Sequence, residues 1–476
     1  MDPGASPAWS LTRRAALGAI GVAGLGVALW PRRPRAQVDV PRGRVVLRYW
    51  EKWTGTEGDA IQSVVDRYNG SQERIWVQRV PVSEIAAKAM TAIGGGDPPD
   101  LVGLYSYHVP LLAETNAAMS MDEFAGVRVA SPLDQDAYVP SVRALLSLSG
   151  KQWAGVNTCY ALGLYYNRGI LRQAGLDPDR PPRTTRELDA LADRLVIPAL
   201  PDRTGGAEVE NAGPMARAGF LPNLPAWWPY FWPIMFGGRL FDAATNRALM
   251  DEPSSIAAYR WVQEIASRLG PSRSRNFGNQ YGRNFHSPDD PFISGKVAMI
   301  VQGPWLANFI NVHAKKGADG TPAIDYAAVP VPVEESVFDP ERPLGMLEAD
   351  VIMIPRGCPH PEEAYEFFCY LQRRDVQERL AVMHCKSSPM RECSPGFMQT
   401  HPNPSVAVFD KIVKSDRAIV LPQTRSWQAI ADLTSGAFEE IWRGADVEKT
   451  LAAVQRRAQG LLDKSAELAM KRTGLG

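Results

Sequence analysis

Three observations predict an α/β fold of two lobes joined by hinge strands. At 476 residues the chain is too long for a single core. Apolar runs rich in β-formers alternate with amphipathic stretches at helical period, as in βαβ units. The third observation is the run from Gly155 through Val156, Asn157, Thr158, Cys159, Tyr160 and on to Asn167, long enough to leave one sheet and enter another and punctuated by Gly155 and Gly163. Its polar residues, Asn157, Thr158 and Tyr160, stand together near its start, where a strand joining two lobes runs along the floor of the cleft between them. Clefts between domains are where small ligands bind. A buried strand whose tyrosines fill a core is the alternative for this segment alone.

Fifty-two basic and 52 acidic residues cancel. No global field draws the chain to nucleic acid, and no long basic run lies outside the N-terminus. Thirteen Trp and 14 Tyr exceed what a core requires; some are expected on a surface that binds flat apolar faces. Residues 1–37 are set apart as an export signal or N-terminal anchor. Thr12-Arg13-Arg14 precedes an apolar run from Ala15 to Trp30, and the arginine pair with a glycine-rich run resembles a twin-arginine signal. The run is shorter than the roughly 20 residues of a membrane span. Arg32, Arg33 and Arg35 follow it and the cleavage signal is poor, so retention as an anchor stands beside cleavage. No cysteine near its end favours a lipid anchor. Cys159, Cys358, Cys369, Cys385 and Cys393 are too widely spread for a CxxC site. Cys385 and Cys393 are the pair closest in sequence and the candidates for a bridged loop; otherwise all five are small buried hydrophobes.

Val45–Trp50 reads as the first strand, and Glu57 to Tyr68 as a helix ended by Asn69-Gly70. Ile75–Val80 is the second strand, Val82 to Ile93 a helix stopping at Gly94-Gly95-Gly96, and Leu101–Tyr105 the third strand. In a mainly parallel sheet, ligands sit beyond the strands' C-terminal ends. Two loops therefore point at the cleft, one with Trp53 and Thr54, the other with Ser106, Tyr107 and His108. Asn167 to Ala174 gives a short helix, and Thr184 with Glu187 a capping box before Leu188, Leu191 and Leu195. Ala199–Leu224 and Pro271–Asp290 read as variable surface loops. Between them lies Trp227-Trp228-Pro229-Tyr230-Phe231-Trp232, whose rings point all round a helix, so some must face solvent or a ligand. Phe292 to Val301 is a turn and buried strand ending in Gln302-Gly303-Pro304-Trp305. A helix starting near Trp305 leaves free N–H groups at its mouth. Tyr326–Val331 is a strand, Leu344–Ile354 a return strand to the first lobe, and Pro361–Gln372 a helix. Ser387–Arg391 is a loop returning to the cleft, and Trp427–Trp442 and Asp446–Lys471 are two helices.

With these stretches in order, the chain resembles the extracellular solute-binding proteins of bacterial ABC importers, in the carbohydrate-binding group that includes maltose-binding and glycerol-phosphate-binding proteins. The resemblance rests on Tyr49-Trp50-Glu51-Lys52-Trp53-Thr54, Gly94 to Val102, Ala161 to Asn167, Phe292 to Met299, Gly303-Pro304-Trp305, Pro361-Glu362-Glu363-Ala364 and Phe438 to Trp442. Their order and spacing carry it, over nearly the whole exported chain. It implies the two-lobe periplasmic binding protein fold, with lobe one at 40–157 plus 352–405 and lobe two at 158–351 plus 406–476. It further implies a periplasmic or extracytoplasmic monomer that delivers a sugar or oligosaccharide to permease subunits. The chain departs from the pattern in lacking the lipid-anchor cysteine and in its two long loops.

A pyranose offers an apolar face that stacks on an aromatic ring and a rim of hydroxyls that need donors and acceptors. Trp53, Thr54, Tyr107, Asn157, Tyr160, Trp228, Trp305, Glu348 and Arg391 fit that demand near the expected cleft, each with packing or a solvated surface as its alternative. No catalytic residue, metal ligand or cofactor is expected. Glu348 and Asp350, two apart on one strand, share a face and lack the opposed geometry of a glycosidase pair, and neither HExxH nor GxSxG occurs. A membrane-tethered sensor using the same lobes, and less so a carbohydrate-active enzyme, are the alternatives.

Overall fold

The computed structural model describes residues 41–198 and 215–473. The arginine pair, the apolar run after it and residues 199–214 lie outside them. The folded body begins at Val45. There β1 (Val45–Glu51), α1 (Gly55–Ser71), β2 (Ile75–Pro81), α2 (Ile85–Gly94) and β3 (Leu101–Tyr105) follow one another as two βαβ units. β1 pairs parallel with β2 and β3. Alternation decides the faces: Leu47 and Tyr49 enter the core that holds Phe367 and Phe368, and Trp50 packs on the opposite one with Leu104 and Leu347. α1 continues through Asn69-Gly70 to Ser71 rather than ending there. Asn69 is buried, donating to Val77 O at 2.9 Å and accepting from Val77 N at 2.8 Å, so it clamps the last turn to β2 instead of capping it.

Next come β4 (Gly155–Ala161), β5 (Gly163–Asn167), α3 (Thr185–Leu195), α4 (Pro253–Leu269), α5 (Pro271–Tyr281), β6 (Met299–Gln302), α6 (Leu306–His313), β7 (Tyr326–Pro330) and β8 (Gly345–Met353). After them come α7 (Pro361–Leu371), α8 (Arg374–His384), the short helix Val406–Val413, β9 (Ala418–Val420), α9 (Trp427–Trp442) and α10 (Val447–Thr473). A six-stranded sheet runs β9-β8-β3-β1-β2, with β4 on the other edge of β8. The second lobe holds a three-stranded sheet in the order β6-β5-β7, both outer strands antiparallel to β5. Only Leu162 separates β4 from β5, so the chain passes from one sheet to the other there. β8 pairs in the six-stranded sheet along its whole length from Gly345, and β9 joins it at the same end.

Local signals are met where the chain spells them out: Thr184 accepts from Glu187 N–H at the head of α3, and Asn167 caps the short helix Arg168–Gln173. Three segments differ from their sequence reading. Pro271–Tyr281 is helix α5, because Ser274 and Phe277 share a buried face. Ala218, Phe220, Leu221 and Leu224, read as surface loop, are core, behind the short strand Met215–Arg217 that pairs with Ile197–Pro198. α8 occupies a stretch, 374–384, for which the sequence predicts no element. All five cysteines are free, and only Cys393 is more than slightly accessible. Among the described residues no helix is long and apolar enough to cross a membrane.

Candidate functional site

β4 and β8 meet over a bulge that sets the site. Asp350 lies opposite Thr158 and Val351 opposite Val156, so Asn157 is an extra residue without a partner on β8. A bulge re-aims side chains. Here Val156, Cys159 and Ala161 stay in the core, whereas Asn157, Thr158 and Tyr160 turn toward Glu51, Asp350 and Glu348.

The floor is a continuous set of buried polar groups. Tyr49 Oη donates to Glu51 Oε2 at 2.6 Å, and Asn157 Nδ2 donates to the same oxygen at 3.1 Å and to Tyr49 Oη at 2.8 Å. A Cβ on Gly103 would run into this carboxylate, so glycine is required beside it. The Lys52 ammonium lies 3.5 Å from Glu51 Oε1 and 3.2 Å from Asp350 Oδ1. Asp350 Oδ2 accepts from Thr158 Oγ1 at 2.6 Å and Lys386 Nζ at 2.9 Å. Burial opposes the charge on Asp350, but the Lys386 and Lys52 ammonium groups outweigh it and hold the carboxyl well below its ordinary range. Glu348 is the contrary case. Burial dominates, Asp350 adds repulsion, and the hydrogen bond from Tyr160 Oη at 2.6 Å with the two lysines does not compensate, so its carboxyl is pushed up to about 8.

Lys386 arrives by a helix-ending device. Cys385 adopts φ 57° after α8, with Lys386 N–H bonded to Ala381 O and Cys385 N–H to Val382 O, the two bonds of a Schellman turn. The turn sends the Lys386 side chain, 1% exposed, inward to lie 5.5 Å from the ring centroids of Trp53, Tyr160 and Trp305.

Above the floor lies a cavity of about 250 Å³. The first lobe contributes Trp53, Glu57, Tyr105, Tyr107 and Lys386, the crossing strands Tyr160 and Glu348, and the second lobe Trp227, Trp228, Tyr230, Trp305 and Phe309. The second-lobe rings interlock: Trp305 meets Tyr160 edge-on at 4.8 Å and Trp228 at 5.8 Å. The indole of Trp305 folds back over Gly303, where any side chain would collide with it. A larger depression, about 680 Å³, is lined by the loop from Gly175 to Arg183 and by α3, with no aromatic residue. The smaller, ring-lined cavity is the candidate site.

Of the nine residues singled out in the sequence, Trp53, Tyr107, Tyr160, Trp228, Trp305 and Glu348 line the cavity. Asn157 lies in the buried hydrogen-bond set of the floor. Thr54 is exposed at the N-cap of α1, and Arg391 is an exposed residue whose Nε donates to Tyr138 O at 2.9 Å. The N–H groups expected to be free at the mouth of α6 are engaged: Leu306 bonds Gly303 O and Ala307 bonds Pro304 O, both at 3.1 Å. Trp227, Tyr230, Tyr105, Phe309, Glu57 and Lys386 line the cavity without having been named. The first two belong to the aromatic cluster already noted. Lys386 stands one residue before the loop expected to return to the cleft, hidden by an αL cap at cysteine where glycine is usual.

The family model for bacterial extracellular solute-binding proteins matches residues 52–378. The chain is 23% identical over 298 residues to the sn-glycerol-3-phosphate-binding periplasmic protein of Pectobacterium atrosepticum, an alignment that spans 60% of each chain. It is 22% identical to the maltotriose-binding protein of Pyrococcus abyssi, over 87% of this chain and 81% of that one. Among solved structures, a protein with mannobiose bound superposes with a TM-score of 0.73 at 23% identity, over 87% of this chain and all of the other. The cyclic alpha-maltosyl-1,6-maltose binding protein of Arthrobacter globiformis gives 0.66 at 19% identity, over 89% of this chain and 100% of its own. The two-lobed fold is thus shared with sugar-binding structures, and the chain belongs to the bacterial extracellular solute-binding proteins.

Proposed function

We propose that the chain is the extracytoplasmic solute-binding component of an ABC importer, taking a sugar or oligosaccharide into the cavity between its lobes and handing it to membrane permease subunits. The observation that carries this reading is the composition of the cavity: nine of the twelve lining residues are aromatic, and the other three are Glu57, Glu348 and Lys386. Rings supply flat faces for pyranose stacking and carboxyl groups supply partners for hydroxyls. A glycerol-phosphate ligand, as the name of one relative suggests, fits less well. A phosphate wants a free arginine fork or lysine; among the described residues no arginine lines the cavity, and the one lysine that does is bonded to Asp350 and Thr158.

We take the first crossing at Leu162 and the return at Gly345, a few residues from the sequence-derived bounds at 157 and 352, and assign β9, which pairs with β8, to lobe one although the sequence reading places it in lobe two. The nine sequence-derived residues are then reduced to six contacts, with Glu57, Tyr105, Trp227, Tyr230, Phe309 and Lys386 added. The N-terminal 37 residues serve as the export signal or tether of a monomeric binding protein.

Thermal-shift and calorimetric titration of the purified chain against mannobiose, maltotriose, monosaccharides, sn-glycerol 3-phosphate and glycerophosphocholine tests the reading. A neutral sugar is expected to raise the melting temperature and to bind. Stabilisation by the phosphate compounds with no response to any sugar would reassign the site.

A further inference from the structure

Two buried polar atoms of cavity-lining side chains have no hydrogen-bond partner among the described residues: Glu348 Oε1 and Trp53 Nε1. Glu348 is 2% exposed, and its other oxygen is held by Tyr160. A buried polar atom left unpaired is costly, so a site that leaves one open is built for a group that arrives. We infer that Glu348 is a specificity-determining residue that meets the ligand as an uncharged carboxyl group, one oxygen held by Tyr160 and the other exchanging a hydrogen bond with a ligand hydroxyl. The inference rests on the sugar reading above and adds to it that the cavity selects neutral polyols by a proton it carries itself.

The surroundings fix the charge state. Asp350, on the same strand face, is the carboxylate that both lysines serve: Lys52 lies 3.2 Å and Lys386 2.9 Å from its oxygens, whereas among the described residues no cation makes an ion pair with Glu348. From the packed elements Glu348 faces Tyr160 on β4, Tyr105 and Tyr107 at the end of β3, Tyr230 from the second lobe, and Lys52, Lys386 and Asp350 across the floor. All four phenols are pushed upward by burial, so none of them ionises near neutrality. With Tyr160 donating to Oε2, the proton of the neutral acid resides on Oε1. That oxygen can donate to a hydroxyl, whereas a phosphate or carboxylate ligand would bring a second negative charge into a cavity already lined by Glu57.

The test is a pH profile with a conservative variant. Titrate the full chain and Glu348→Gln with mannobiose, and with maltotriose as second probe, from about pH 6 to 9.5. Wild type is expected to hold its affinity up to about pH 7.5 and to weaken about tenfold or more by pH 9.5, as the competent protonated fraction falls. Glu348→Gln, which mimics the neutral acid, should bind within about fivefold of wild type at pH 7 with a flat profile; Glu348→Ala should lose binding at every pH. A flat wild-type profile, or a Gln variant as weak as Ala, overturns the inference while leaving the sugar reading in place. Failure of both sugars to bind overturns the sugar reading for these probes, and the proton is then read directly. The infrared C=O stretch of a protonated carboxyl, present in unliganded wild type near pH 6.5, lost near pH 9.5 and missing in Glu348→Gln, supports the uncharged carboxyl; its absence at pH 6.5 overturns it.

Discussion

The two sides of the cavity are built on opposite principles. On the first-lobe side the ionised floor groups are paired before any ligand arrives: Glu51, Lys52, Asp350, Thr158 and Lys386 form one connected set, largely buried, with contacts of 2.6 to 3.5 Å. On the second-lobe side Trp227, Trp228, Tyr230, Trp305 and Phe309 present rings whose partners are other rings. A charged floor held by its own pairs cannot reorganise cheaply, since each buried ion depends on its counter-ion. A wall of Trp and Tyr offers large contact area with few rotatable bonds. Rigidity on the polar side and flat apolar area on the other are what a ligand with one hydrophobic face and one hydroxyl rim requires.

The contrast breaks most severely at Asp350. Asp350→Ala removes the carboxylate that the buried Lys52 and Lys386 ammonium groups share, and stability should fall by about 3 to 5 kcal/mol, the scale of breaking a buried ion pair from one side. Urea unfolding of the unliganded protein measures it. Asp350→Leu combined with Lys386→Met removes the Lys386 charge as well and should lose less than Asp350→Ala. A loss under about 1 kcal/mol for Asp350→Ala would mean the floor is not a coupled set.

Trp305 belongs to both sides. Its indole is 8% exposed, packs edge-on against Tyr160 and sits over Gly303, yet lines the cavity. A residue at an open helix mouth would leave apo stability nearly untouched when removed. Seated as it is, Trp305→Ala should cost about 3 kcal/mol of stability, the low end for a buried Trp, and about 1 to 3 kcal/mol of sugar binding. Calorimetry and melting on one preparation separate the two. Normal binding with lowered stability would make Trp305 core alone and shift the stacking role to Trp228.

What the sequence disclosed follows from what is local. Apolar runs rich in β-formers, with their glycines, disclosed β1, β3, the β4–β5 crossing and β8, and the Thr184 capping box disclosed α3, because each signal acts within a few residues. Glu348 and Tyr160 could be named because polar residues inside a β run stand out. The Asn157 bulge could not be read, since it depends on the register between strands nearly 200 residues apart. Nor could the difference between Glu348 and Asp350. Both look alike on paper, and only the placement of Lys52 and Lys386 makes one an ion and the other a neutral acid. α8 was missed for a third reason: its end is marked by Cys385 in the left-handed region, and cysteine is not a residue that announces such a cap.

The smallest effect, and the one that refines the contrast most, is expected at Trp227. It is 43% exposed and touches Trp228 at 5.4 Å, Phe285 at 5.2 Å and Trp305 at 6.5 Å, at the rim of the ring wall. Trp227→Ala removes a half-solvated ring from a surface, so unfolding free energy should change by less than about 0.5 kcal/mol. The floor is out of its reach and cannot compensate for or amplify the change. Any loss of affinity therefore reports stacking at the rim. A sugar ring held wholly within the cavity should lose little, whereas a longer sugar that extends past Trp228 should lose about 1 kcal/mol. Titrating the variant with a monosaccharide and with maltotriose reads this difference directly. Equal losses for both would place Trp227 in contact with the innermost ring and make the second-lobe wall a single platform; a larger loss for maltotriose would make it two, with the outer one open to the next residue of the chain.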